Sequence, residues 1–142
     1  ALRPAAASPA QADLPSELMN WPIQLMLVPP QAPYLQGADI LLAADCVPFA
    51  LPNFHQRFLR GRPVLIGCPK LDQADFYVKK LAQIIHLAQP KSISVLRMEV
   101  PCCSGLTRIA RMARDAAEAS TRLEEIVVSI QGEVLETTER PA

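Results

Sequence analysis

No stretch of this chain is long and apolar enough to cross a bilayer. The longest unbroken apolar run, around Ile40 to Ala44, falls far below the roughly 20 residues that a spanning helix needs. The Ala-rich start is interrupted by Pro4, Pro9 and Asp13, where a signal peptide would require a continuous apolar core. Net charge is lacking as well. Fourteen basic side chains cancel fourteen acidic ones and no Lys/Arg cluster stands out, so the electrostatic footprint of a nucleic-acid binder is missing. Also absent are a phosphate-binding glycine loop, a Ser-His-Asp order and a pair of catalytic carboxylates. No Cys-x-x-Cys pair occurs, so spacing alone names no metal. The expectation is a soluble, cytoplasmic protein without a membrane span or a nucleic-acid partner.

What the sequence does hold is an apolar half and four cysteines. Its 142 residues suffice for a single core and are too few to argue for two full domains. Every cysteine sits just past an apolar run that reads as a strand. Cys46 follows Ile40 to Asp45, Cys68 follows Pro63 to Gly67, and Cys102-Cys103 follow Arg97 to Pro101. A free cysteine usually behaves as a small buried hydrophobe, and for Cys46 alone that reading is preferred. Core burial, however, predicts cysteines within strands, whereas these lie in the loops after strands. A disulfide framework is disfavoured, because Cys102 and Cys103 could pair only through a strained ring and the strand-helix alternation belongs to a cored domain.

In chain order, residues 1–15 read as a flexible Ala/Pro/Ser-rich tail or linker, residues 16–136 as one α/β domain and residues 137–142 as a polar tail. The chain opens on Ala1 without an initiating Met, which is compatible with a fragment or a processed chain. Ser16 to Trp21 suits one helical turn before Pro22, and Ile23 to Val28 a first strand stopped by Pro29-Pro30. Further strands are expected at 40–44, 63–67, 92–100 and 126–130. A short helix over 53–60 would bury Phe54 and Phe58. A longer one, opened by Asp72 and Asp75, would run to about Ala88 and bury Phe76, Leu81, Ile84 and Ile85. A third would bury Leu106, Ile109, Ala110, Ala113 and Ala117. Gln131-Gly132 reads as a turn into Val134-Leu135. Such alternation favours a mainly parallel sheet with helices on both faces, a three-layer Rossmann/flavodoxin-like α/β fold.

In open sheets of this kind ligands gather beyond the carboxyl ends of the strands, so the thiols are expected to meet at one sheet edge. Soft thiolates suit zinc or an iron-sulfur cluster. The amides that open the helix after Cys103 are expected to lower the pKa of Cys102 and Cys103, and Cys103, nearer those amides, is expected to matter more than Cys102 for holding metal. Lys70 could offset cluster charge or merely be solvated, Asp45 and Glu99 could orient ligands or carry protons, with Asp45 equally suited to cap the following turn, and His55 could add a fifth ligand, a surface His being the preferred reading. His86 reads as structural.

The stretches Trp21-Pro22-Ile23-Gln24-Leu25, Ala38 to Cys46, Leu65 to Asp72 and Arg97 to Cys103 resemble the carboxyl-terminal domain of a family of bacterial and archaeal four-iron ferredoxin-domain proteins. The resemblance covers about residues 16 to 136, lacks the ferredoxin module that commonly precedes this domain, and replaces with Ser104 a glycine that usually follows the paired cysteines. It implies a 4Fe-4S protein, an electron-transfer role and a ferredoxin-type or other redox partner, and it supports functional cysteines without fixing the metal. Three readings stand open: a cluster-binding redox accessory domain with Cys46, Cys68, Cys102 and Cys103 as ligands; a thiol enzyme using Cys102 or Cys103; and a zinc-stabilised interaction domain.

Overall fold

The computed structural model describes residues 14–140, so the tail expected over residues 1–15 lies almost wholly outside the described residues. Strands β1 (Asp39–Ala44), β2 (Val64–Gly67), β3 (Ser92–Met98), β4 (Arg122–Val128) and β5 (Val134–Arg140) form one sheet in the order β2-β1-β3-β4-β5. The pairs among β2, β1, β3 and β4 are parallel, and β5 alone runs antiparallel. Past Asp39, every residue of β1 is buried, as expected of a central strand covered on both faces.

Helices α2 (Ala74–Ala88) and α3 (Gly105–Ala116) carry the β2–β3 and β3–β4 crossovers and pack side by side. Both crossovers progress across the sheet in the same direction, so right-handedness puts both helices on one face. The β1–β2 connection progresses the opposite way and therefore covers the other face, with short helix α1 (Val47–Ala50) and a π-helical turn over His55–Leu59. Phe54 and Phe58 are buried there, as the sequence suggested. The expected three-layer α/β arrangement is the observed one.

Several expectations need correction. Ile23 to Val28 is no strand: it contributes one bridge, Gln24 to Ile66, before the Leu27 and Val28 amides turn back onto the Gln24 carbonyl at 2.8 and 3.1 Å. Ser16 opens no helical turn; its hydroxyl accepts the Leu18 amide at 3.1 Å. Asp72 does not cap α2, whose N-cap is Gln73, and Phe76 is half exposed. Tyr77 is buried in its place, because Tyr77, Leu81, Ile84, Ile85 and Ala88 keep the helical period that Phe76 breaks. The expected polar tail from residue 137 is strand as far as Arg140, with Thr138 paired to Glu125 and Thr137 to Ile126. The exposed Glu136 and Thr137 suit an edge strand that faces water. The turn before it places Gly132 at φ +87 against the Ala50 carbonyl, where no side chain fits.

Candidate functional site

The chain leaves the carboxyl ends of neighbouring strands β1 and β3 toward opposite faces of the sheet. A crevice opens at such a reversal, and ligands of open α/β sheets bind there. Cys46 caps the start of α1 on one side of it, and Cys102 and Cys103 lie in a 3-10 turn over Pro101–Cys103 on the other. Cys68 follows β2, whose Gly67 pairs with Ala44 at the end of β1. The topology therefore brings all four sequence-marked cysteines to the ends of three consecutive parallel strands, with β1 between β2 and β3.

The thiols lie in one another's electrostatic field but are not equivalent. Cys46 and Cys102 are exposed, Cys68 is half-buried and Cys103 is buried. The Cys46 thiol donates to the Asp45 carboxylate at 3.4 Å. That bond, burial and the neighbouring Asp45, Cys68 and Cys102 charges raise its pKa. For Cys103 burial is the largest influence, and with Cys102 and Cys46 it pushes the pKa up to about 11 against a backbone hydrogen bond at Met98. The expected lowering of the Cys103 pKa by helix amides is thus corrected: desolvation of the inward-facing thiol wins. The Cys102 and Cys103 sulfurs stand 3.9 Å apart, well beyond a bond. Among the described residues no three His, Cys, Asp or Glu side chains converge closely enough to hold a single metal ion.

Tyr77, which sequence reasoning missed, builds the floor beneath Cys68. Its hydroxyl accepts the Cys68 amide at 3.0 Å and donates to the Asp72 carboxylate. Burial first and then Asp72 raise its pKa, so the phenol stays protonated as that donor. Gly67 permits this approach, since a Cβ there would stand 2.6 Å from the Tyr77 oxygen. The other polar candidates sit elsewhere. His55 accepts the Glu17 amide at 3.1 Å, tying down the N-terminal segment, and Glu99 accepts the Ile130 amide at 3.1 Å, holding the β4–β5 turn. His86 is exposed in the last turn of α2. Lys70 does reach the thiol end, where it shares a cleft wall with Cys102.

A family model for a Rossmann-like domain matches residues 32–141. The chain belongs to that family. A relative from Archaeoglobus fulgidus, described as an uncharacterized protein, is 34% identical over 118 residues, covering 83% of each chain. No solved structure matches. In this Rossmann-like domain no helix among the described residues is long and apolar enough to cross a membrane.

Gly67→Ala tests the floor of the site. The added methyl must displace Tyr77 or the Cys68 loop, so a loss of about 1–3 kcal/mol is expected, read as a lower melting temperature. Gly67→Ala/Tyr77→Phe should not restore the loss, because the ring carbons Cζ and Cε2 would still stand 2.8 and 2.9 Å from the new methyl and the hydroxyl's bonds to the Cys68 amide and Asp72 are gone; full recovery would place the strain at the hydroxyl alone.

Proposed function

We propose that the carboxyl end of this sheet holds an iron-sulfur cluster, of the 4Fe-4S type implied by the family resemblance, with Cys46, Cys68, Cys102 and Cys103 as its ligands. The domain then serves as an electron-transfer or redox accessory domain for a ferredoxin-type or other redox partner protein. The observation that carries this reading is the placement of every cysteine at the ends of three adjacent parallel strands.

The donor set fits such a group. Soft sulfur is its only ligand type, and burial and neighbouring charges disfavour free thiolates at Cys46 and Cys103, a cost that ferric or ferrous iron would relieve. A lone zinc ion, with Zn–S bonds of about 2.3 Å, asks the thiols to close on a point. A cluster accepts ligands around a wider perimeter, as thiols carried by three different strands would require. When bound, it supplies one-electron redox chemistry. The chain's own residues supply the frame: Pro101 stiffens the turn that presents Cys102 and Cys103, and Tyr77 anchors the Cys68 amide, while Asp45 accepts the Cys46 thiol proton that ligation would displace. A reducing, cytoplasmic setting belongs to the same reading, since it keeps the thiols available.

Anaerobic purification tests it. A brown protein with broad visible absorption, iron and acid-labile sulfide is expected. Colourless protein with stoichiometric zinc would instead support the zinc-stabilised interaction domain. Colourless, metal-free protein would leave the thiol-enzyme reading, with exposed Cys102 as its reactive group.

A further inference from the structure

Beside the thiol site, between the first turns of α2 and α3, lies an open cleft of about 540 Å³ whose walls include Lys70, Asp75, Cys102, Gly105, Arg108 and Met112. That volume falls in the range of small-molecule sites. Its charge is arranged unevenly. Lys70, from the loop after β2, and Arg108, from the first turn of α3, bring two cations to the cleft, and both are exposed. Helix α2 carries its own carboxylate, Asp75, in its first turn, whereas α3 has no acidic residue there. Nor does any side chain cap α3, because the Ser104 hydroxyl donates back to the Pro101 carbonyl at 2.8 Å. The positive end of α3, which no side chain among the described residues caps, therefore adds to Lys70 and Arg108, with Asp75 the one carboxylate in the described lining to oppose them. Ile109 and Met112 line the rest with apolar surface.

We infer that this cleft binds a small organic oxyanion, its negative group held by Lys70, Arg108 and the start of α3, and its apolar part against Ile109 and Met112. A phosphate and a carboxylate share the chemistry that these groups recognise. The inference deepens the thiol-site reading by placing a ligand against Cys102, but the basic and apolar walls exist independently of any metal. Asp75 limits affinity from across the cleft by like-charge repulsion.

Calorimetric titration of the full chain with inorganic phosphate and, separately, with succinate tests this, with ionic strength held constant by chloride. Saturable binding of phosphate alone assigns the oxyanion to a phosphate, and of succinate alone to a carboxylate. Lys70→Ala/Arg108→Ala should weaken the bound probe at least about tenfold, and Asp75→Asn should tighten it severalfold. Lys70→Ala/Arg108→Ala should keep the parent's iron content while losing affinity for the probe, which separates the cleft from the thiol ligands. Saturable binding of neither probe would overturn the inference. So would wild-type affinity in the double variant or no tightening in Asp75→Asn.

Discussion

Cys46→Ser, Cys68→Ser and Cys102→Ser should each retain roughly a tenth or less of the wild-type iron after anaerobic purification. Each changes a thiol that is exposed or half-buried at the end of the sheet, and Cys46 and Cys68 are the sole thiols on their strands. Their melting temperatures as metal-free proteins should match that of the metal-free parent, because none of the three fills the core. Cys103→Ser should behave differently. Cys103 is only 3% exposed, so the hydroxyl enters an apolar setting and costs about 1–3 kcal/mol of stability as well as metal. The burial difference separates the two thiols: Cys102, the outward one, should matter to ligation alone, while Cys103 also matters to folding. Iron, sulfide and melting temperature across the four variants check the series, and wild-type iron in all four would return the cysteines to packing roles.

Asn20→Ala should give the largest loss of stability of any single change in the N-terminal segment. Asn20 is buried, and its side chain behaves as an extra length of strand on the free edge of β2. Its Nδ2 donates to the Val64 carbonyl at 3.0 Å and its Oδ1 accepts the Val64 amide at 2.8 Å. Truncation leaves both backbone groups without that partner in a buried position, at a cost of roughly 2–4 kcal/mol. For a chain of this size that corresponds to a fall in melting temperature on the order of 10 °C. Thermal denaturation checks it, and a shift under about 1 °C would show that Val64 finds water or another partner.

The apolar runs at Ile40 to Ala44 and Pro63 to Gly67, and the largely apolar Ser92 to Met98, made β1, β2 and β3 legible; the unbroken run suits β1, the strand between the other two, buried on both faces. The crossovers do put the strands that precede Cys46, Cys68 and Cys102-Cys103 side by side, as expected, although among the described residues no three metal-ligating side chains converge closely enough to hold one metal ion. What escaped was whatever depended on tertiary partners. Ile23 to Val28 has strand composition, yet the Leu27 and Val28 amides fold back onto Gln24 and only Gln24 pairs with the sheet. Glu136 to Thr138 are polar and read as tail, although an edge strand that faces water can be polar throughout. Tyr77 could have been found, because it completes the period of Leu81, Ile84 and Ile85 where Phe76 does not. The inward turn of Cys103 and the meeting of Lys70 with Arg108 carry no local signal; they follow from how α2 and α3 pack together.

X-ray absorption at the iron edge of the anaerobically purified protein tests the central claim most directly, because it reads the atoms around the metal. Ligation by the thiols of Cys46, Cys68, Cys102 and Cys103 requires an all-sulfur first shell and a second shell of iron scatterers. A shell of nitrogen or oxygen neighbours, or an iron edge without iron-iron scattering, would contradict a thiolate-held cluster at the end of this sheet.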